Sequence, residues 1–228
     1  MEHKLKFDVL TLFPGLLRGV VEESIIGRAI RNSLIEVGVH NLRDWATGPH
    51  NMADDRPFGG GAGMVLKPEP LFEAIDGLSS KETTVVYLSP DGEKLTTPLA
   101  RELGSEEHLL LVSGHYEGID QRVRDFKVDR EISIGDYILT NGTLAAAVLI
   151  DVVSRFVPGV LGDGLSLEQD AFADELLSFP QYTRPAEYQG ERVPDVLLSG
   201  DHKSISEWRE TQRINKTSRR RPELLAGG

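Results

Sequence analysis

The chain has 228 residues, 39% of them hydrophobic, a formal net charge of −11 and no cysteine. That length suits one ordinary domain plus a small second one, and the apolar share is enough for a packed core. Disulfides, cysteine–zinc sites and thiol nucleophiles are excluded, and no apolar run approaches the roughly eighteen residues of a membrane span.

The first residues lead directly into an alternating apolar segment with no signal-peptide block, which predicts a cytoplasmic protein. Residues 7–13 alternate apolar and polar side chains and stop at Pro14-Gly15, the pattern of a strand and turn. Residues 16–34 carry helix-spaced apolar positions, and 37–42 read as a short strand. A polar, then glycine-rich stretch at 46–63 reads as a loop, and a helix starts at 70–75. The buried-type strand 84–88 is stopped by Ser89-Pro90-Asp91-Gly92, a strong turn signal. A helix around 98–103, a strand at 108–112, a loop, a strand at 131–134 and a loop at 135–142 follow. Residues 144–156 form a long apolar helix ended by Pro158-Gly159. Strands alternating with helices predict an α/β domain with a mainly parallel sheet and helices on both faces.

Beyond it, residues 161–178 read as a linker with a helical stretch near 172–177. Residues 179–228 read as a small, mostly helical unit with a helix at 206–216. Residues 203–221 hold seven basic side chains against Glu207 and Glu210, so a globally acidic chain ends in a locally basic one. No GxGxxG, GxxxxGK[ST] or GxSxG segment is present, and the six histidines never fall at HxxxH spacing.

Four loops carry unusual chemistry. Asp54 to Met64 combines adjacent carboxylates, Arg56 and four glycines. Tyr87-Leu88-Ser89-Pro90, Ser113 to Asp120 and Ser133 to Gly142 each follow an apolar strand. Loops leaving the carboxyl ends of neighbouring strands are where open α/β sheets place ligands.

In this order the loops resemble the bacterial tRNA (guanine-N1)-methyltransferases of the SPOUT class, the trefoil-knotted methyltransferases. The likeness includes LFP at 12–14, DDRPFGGGAGM at 54–64, YLSP at 87–90, YEGID at 116–120, SIGDY at 133–137 and SRFVPGVLG at 154–162. It continues through YTRP at 182–185, VLLSGDH at 196–202 and RRPELL at 220–225. The resemblance implies a deep knot, which chain statistics alone make rare. It implies methyl transfer from S-adenosylmethionine to N1 of the guanosine immediately 3′ of the tRNA anticodon. It places the cofactor against Tyr87, Leu88, Ser89, Pro90, Gly114, Tyr116, Glu117, Gly118, Ile134, Gly135, Tyr137, Leu139 and Gly142. It makes Asp170 the general base, Arg155 the contact to guanine O6, and Asp54, Arg56, Gly60, Arg219 and Arg220 substrate contacts. It further implies tRNA as partner rather than DNA or a membrane, a homodimer with shared active sites, and assistance by Mg2+ with no protein ligand assigned to it.

The chain departs from the family pattern at two places. Asn141-Gly142-Thr143-Leu144-Ala145 stands where Gly-Gly-Glu-Leu-Pro is usual, and His115 stands where arginine is usual. The chemistry suits the implied residues. Guanine N1 bears a hydrogen that a carboxylate must take as the N–C bond forms, while a guanidinium stabilises the charge growing on O6. Rival readings are a knotted methyltransferase acting on a ribose or on rRNA, and a catalytically silent tRNA-binding protein. Asp170 speaks against the first, since transfer to a ribose oxygen needs no base for a ring nitrogen.

Overall fold

A computed structural model of the chain describes residues 4–47, 51–162, 170–172, 174 and 176–225. It divides into two compact units, Met1–Gly162 and Asp163–Gly228.

The first unit is built on five parallel strands: β1 (Leu5–Thr11), β2 (Ile35–Asn41), β5 (Thr83–Lys94), β6 (His108–Ser113) and β7 (Arg130–Ser133). Their spatial order is β2-β1-β6-β5-β7. Central strands of a parallel sheet are covered on both faces, so they read as continuous apolar runs. The run Leu109-Leu110-Leu111-Val112 in β6 does so, every residue being fully buried. Leu109 and Leu111 join one core with Phe7 and Val9, against Ile26 and Ala29 of α2 (Ser24–Arg31), Leu99 and Leu103 of α4 (Thr97–Leu103), and α6 (Thr143–Ser154). Leu110 and Val112 join a second core with Leu10 and Tyr87, against Leu71 and Ile75 of α3 (Pro68–Leu78) and Val123 of α5 (Gln121–Lys127). Helices therefore cover both faces.

Three local expectations are corrected. Residues 16–34 do not form one helix. A 3-10 turn (Pro14–Leu17), α1 (Arg18–Glu22) and α2 succeed one another, broken at Glu23, whose backbone is extended, and Ser24, whose φ is +52°. The Ser89–Gly92 segment does not end its strand. Pairing with β7 jumps from Leu88 to Glu93 across Ile132, so the four residues bulge out of a strand that then resumes. The segment before β7 holds α5, whose sequence QRVRDFK buries only Val123 and so lacks an apolar stripe. Its start is fixed by Asp120, whose side chain accepts from Arg122 N at 2.9 Å. Within the glycine-rich loop, β3 (Asp54–Asp55) and β4 (Val65–Leu66) pair antiparallel.

In the second unit, β8 (Glu187–Tyr188) and β9 (Glu191–Arg192) form a hairpin, followed by α7 (Asp195–Leu198) and α8 (His202–Arg220). The last helix is longer than the sequence pattern predicts. Asp201 caps it by accepting from Lys203 N at 3.1 Å, and polar good helix formers extend it to the basic end. The chain before the hairpin is laid along α8. Leu177 N donates to Thr217 Oγ1 at 3.0 Å, Lys216 Nζ to Ser178 O at 3.0 Å, and Asp174 pairs with Arg213. Residues 172, 174, 176 and 177 lie in turns, bends and coil rather than the helix expected there, and 163–169, 173 and 175 lie outside the described residues. No helix among the described residues is long and apolar enough to cross a membrane.

Candidate active site

At the carboxyl end of the sheet, the bulged part of β5 and the loops after β6 and β7 line a cavity of about 410 Å³. All thirteen residues that the sequence resemblance places at a cofactor line it. So do Asp91, His115, Arg124, Thr140 and Asn141, which that reading did not assign. Asp91 sits on the bulge that looked like a plain turn, and Arg124 sits on the helix the pattern missed.

The loops after β6 and β7 are tied backbone to backbone. Gly142 N donates to Gly114 O at 2.8 Å, and His115 and Asn141 form an antiparallel bridge. The approach is so close that a Cβ on Gly142 would stand 2.9 Å from Gly114 N and 3.0 Å from Ser113 Cα. A Cβ on Gly114 would stand 2.9 Å from the Tyr87 hydroxyl, so the absence of a side chain there leaves room for the tyrosine. Beneath the crossing, Thr143 N donates to Asn141 Oδ1 at 3.0 Å, and the fully buried Thr143 hydroxyl lies 2.7 Å from that of Thr11. The Asn141-Gly142-Thr143 sequence thus forms its own capped entry to α6.

Tyr87 is buried at the cavity floor, and burial raises its hydroxyl pKa above the ordinary value of 10.0. Arg124 lies over its ring at 5.6 Å and is held by Glu131 at 2.8 and 2.6 Å and by Asp91 at 3.1 Å. The hydrogen bonds to Glu131 raise the Arg124 pKa further, so the cavity keeps one fixed cation.

The remaining predicted residues lie in three places. Asp54 sits in the β3–β4 hairpin, which is fastened to the cavity loop: Leu66 N donates to Gly118 O at 3.0 Å and Glu117 N to Met64 O at 3.1 Å. Arg56 and Gly60 are exposed on the adjoining loop, beside the fully exposed Phe58. Arg155 caps the far end of α6. Gly142 and Ala145 at the start of that helix line the cavity, and twelve residues at 1.5 Å each put Arg155 roughly 18 Å further on. One chain therefore does not bring Arg155 to its own cavity. Asp170 belongs to the second unit, half-buried. Arg219 and Arg220 close α8 and line an open groove of about 510 Å³ with Pro180, Gln212, Asn215 and Lys216. No group of three or more His, Cys, Asp or Glu side chains among the described residues is arranged to hold a metal ion.

The family model described as tRNA (guanine-1)-methyltransferase TrmD matches residues 5–227. Among curated proteins, the tRNA (guanine-N(1)-)-methyltransferase of Geobacter sp. (strain M21) is 52% identical over 225 residues, covering 98% of this chain and 90% of that protein. The protein of the same name from Carboxydothermus hydrogenoformans is 51% identical over 221 residues, 97% of this chain and 87% of its own. That from Bacillus cereus (strain AH820) is 51% identical over 225 residues, 97% of this chain and 92% of its own.

Proposed function

Because the chain belongs to the tRNA (guanine-1)-methyltransferase family, we propose that it is a cytoplasmic enzyme that methylates tRNA on N1 of the guanosine immediately 3′ of the anticodon. The methyl donor in this reading is S-adenosylmethionine, held in the cavity at the carboxyl end of the sheet. The observation that carries the reading is the convergence of thirteen residues from three separate segments on that one cavity.

The lining fits such a ligand. Leu88, Ile134 and Leu139 offer apolar surface to an adenine ring, while the absence of side chains at Gly114 and Gly142 leaves room for it beside the loop crossing. When bound, the cofactor supplies an electrophilic methyl group on a sulfonium. The chain supplies the rest. The Asp170 carboxylate takes the N1 proton, and the Arg155 guanidinium donates to guanine O6 as charge grows there. Asp54, Arg56 and Gly60 on the glycine-rich loop, and Arg219 and Arg220 on α8, contact the RNA. Phosphates are thus met by a local basic surface despite the net charge of −11. The described residues do not form a cage for Mg2+.

The reading includes a homodimer and the knot. Arg155 is one helix length from its own cavity, so a second copy must bring one Arg155 to each site. Leu144 (44% exposed) and Val148 (42%) form an uncovered apolar stripe on α6, next to Leu16 (46%) on the 3-10 turn that packs on that helix. A two-fold axis through such a stripe uses each element twice. In the proposed shared site Asp170 also serves the partner's cavity. The proposed knot is supported by the chain's path from β7 at the sheet edge, across the loop after β6, into α6 beneath β1 and β6.

Methyl transfer to unmodified tRNA transcripts tests the function. Label should enter transcripts with guanosine 3′ of the anticodon and not those with adenosine there. In the same assay Asp170→Asn should keep cofactor affinity and lose about 10²–10⁴-fold in turnover, because an amide cannot take the N1 proton. A near-normal single-turnover rate in that variant would remove Asp170 from its role.

A further inference from the structure

We infer that His115 is a positioning residue that fastens the loop after β6 to the loop after β7 through one ring nitrogen, and so holds the cavity in its ligand-ready shape. This rests on the assignment of the cavity to S-adenosylmethionine. His115 Nδ1 lies 3.0 Å from the carbonyl oxygen of Thr140. A carbonyl has no hydrogen to give, so Nδ1 carries it. The ring is set in place from two sides, edge-on to Phe13 with centroids 5.0 Å apart and against Tyr116 at 3.9 Å.

Apart from the half-buried Leu139, which packs against the core, the loop it holds has little else to hold it. Tyr137 and Ile138 are 56% and 80% exposed. Asp136 is engaged by Lys94 at 2.8 Å in an exposed ion pair, which is worth little in water. Among the described residues, the links from residues 136–142 to the loop after β6 are the His115–Thr140 bond and the adjoining Gly142–Gly114 and His115–Asn141 backbone pairing. The backbone pairing fixes the crossing point, and the imidazole extends the clamp one residue outward, to where the loop turns over the cavity. A loop already in place spares the ligand the cost of ordering it.

Two substitutions separate the hydrogen bond from the ring. His115→Asn keeps a donor close to the position of Nδ1 and discards the ring, while His115→Phe keeps the ring against Phe13 and Tyr116 and discards the donor. Calorimetric titration with S-adenosylmethionine should give affinity within about threefold of wild type for Asn and about tenfold weaker for Phe, the equivalent of one hydrogen bond. Equal affinities, or the reverse order, would overturn the inference in favour of ring packing. Nitrogen NMR of the wild-type protein should show His115 as the Nδ1–H tautomer, and an Nε2–H tautomer would overturn it without recourse to any variant. Failure of the wild-type protein to bind S-adenosylmethionine would instead defeat the cofactor assignment, which the tautomer measurement does not depend on.

Discussion

The central sheet carries two polar regions built on opposite plans. Toward its amino edge, Asp8 is buried among three cations or cation-formers: Lys6 Nζ at 2.6 Å, His40 Nε2 at 2.7 Å and His108 Nε2 at 2.9 Å. The ring of His108 is satisfied on both sides, since its Nε2–H donates to Asp8 and its Nδ1 accepts from the Thr83 hydroxyl at 2.7 Å. Toward its carboxyl edge, the cavity leaves valences open. His115 uses Nδ1 alone, and the loops around it line a cavity. Two histidines in one fold thus take opposite tautomers. The closed cluster can only stabilise the sheet, whereas the open one can still bind something. Polar groups with every partner supplied are structural, and those with partners missing mark the place where a ligand completes them.

The largest expected break in this contrast lies at the open end. Gly142→Ala places a methyl 2.9 Å from Gly114 N, where only backbone can yield, so the two cofactor loops must part. Displacements of this kind cost about 10²-fold in function. We expect S-adenosylmethionine affinity to fall by about that factor in a calorimetric titration, with the far-ultraviolet spectrum of the fold unchanged. Affinity within a fewfold of wild type would show that the crossing does not shape the cavity.

At the closed end the expected loss is of stability, not function. Asp8→Asn leaves Lys6, His40 and His108 facing a neutral amide. Breaking a buried pair costs about 3–5 kcal/mol, and here about 2–3 is expected because Lys6 is 40% exposed and keeps its water. Chemical denaturation should read that loss while methyl transfer at 25 °C is unchanged. A loss of turnover without a loss of stability would reverse the assignment of the two ends.

The two ends were also unequally legible in the sequence. The cavity was readable because each of its parts is local: a short apolar strand followed at once by a turn rich in small residues, three times over, as in Tyr87-Leu88-Ser89-Pro90. The Asp8 cluster was not, because its members are 32 and 100 residues apart and only the parallel register of β2, β1 and β6 sets them side by side. The same holds for the clamp. His115 and Thr140 are 25 residues apart, and no periodicity joins them. Helix α5 was missed for a different reason: a helix that buries one side chain has no stripe to read. The Ser89–Gly92 bulge shows the converse, a strong turn signal overridden by pairing on both sides of it.

The smallest expected effect would sharpen the contrast by titration. Burial lowers the pKa of His108 from its ordinary 6.5, against the pull of the Asp8 carboxylate, so the folded ring resists the proton that the unfolded chain accepts. Stability from this source is complete above pH 6.5 and declines as the pH falls below it, since the unfolded state then binds more protons. Asp8 acts lower on the scale. Although burial opposes ionisation, the hydrogen bonds and charges of Lys6 and His40 hold its pKa below 3.8, so its contribution is present above that value and is lost as the pH falls through the folded one. Glu36 also faces His108 from β2 and favours the charged ring. The variant His108→Gln can still donate to Asp8 but cannot titrate. Wild type and variant should therefore lose stability along different curves between pH 7.5 and 5, the wild type declining more, and along parallel curves below pH 4, where Asp8 governs both. Thermal melts across that range separate the two groups. A wild type that gains stability relative to the variant on acidification would mean that His108 is held as the imidazolium, with Asp8 rather than burial setting its charge.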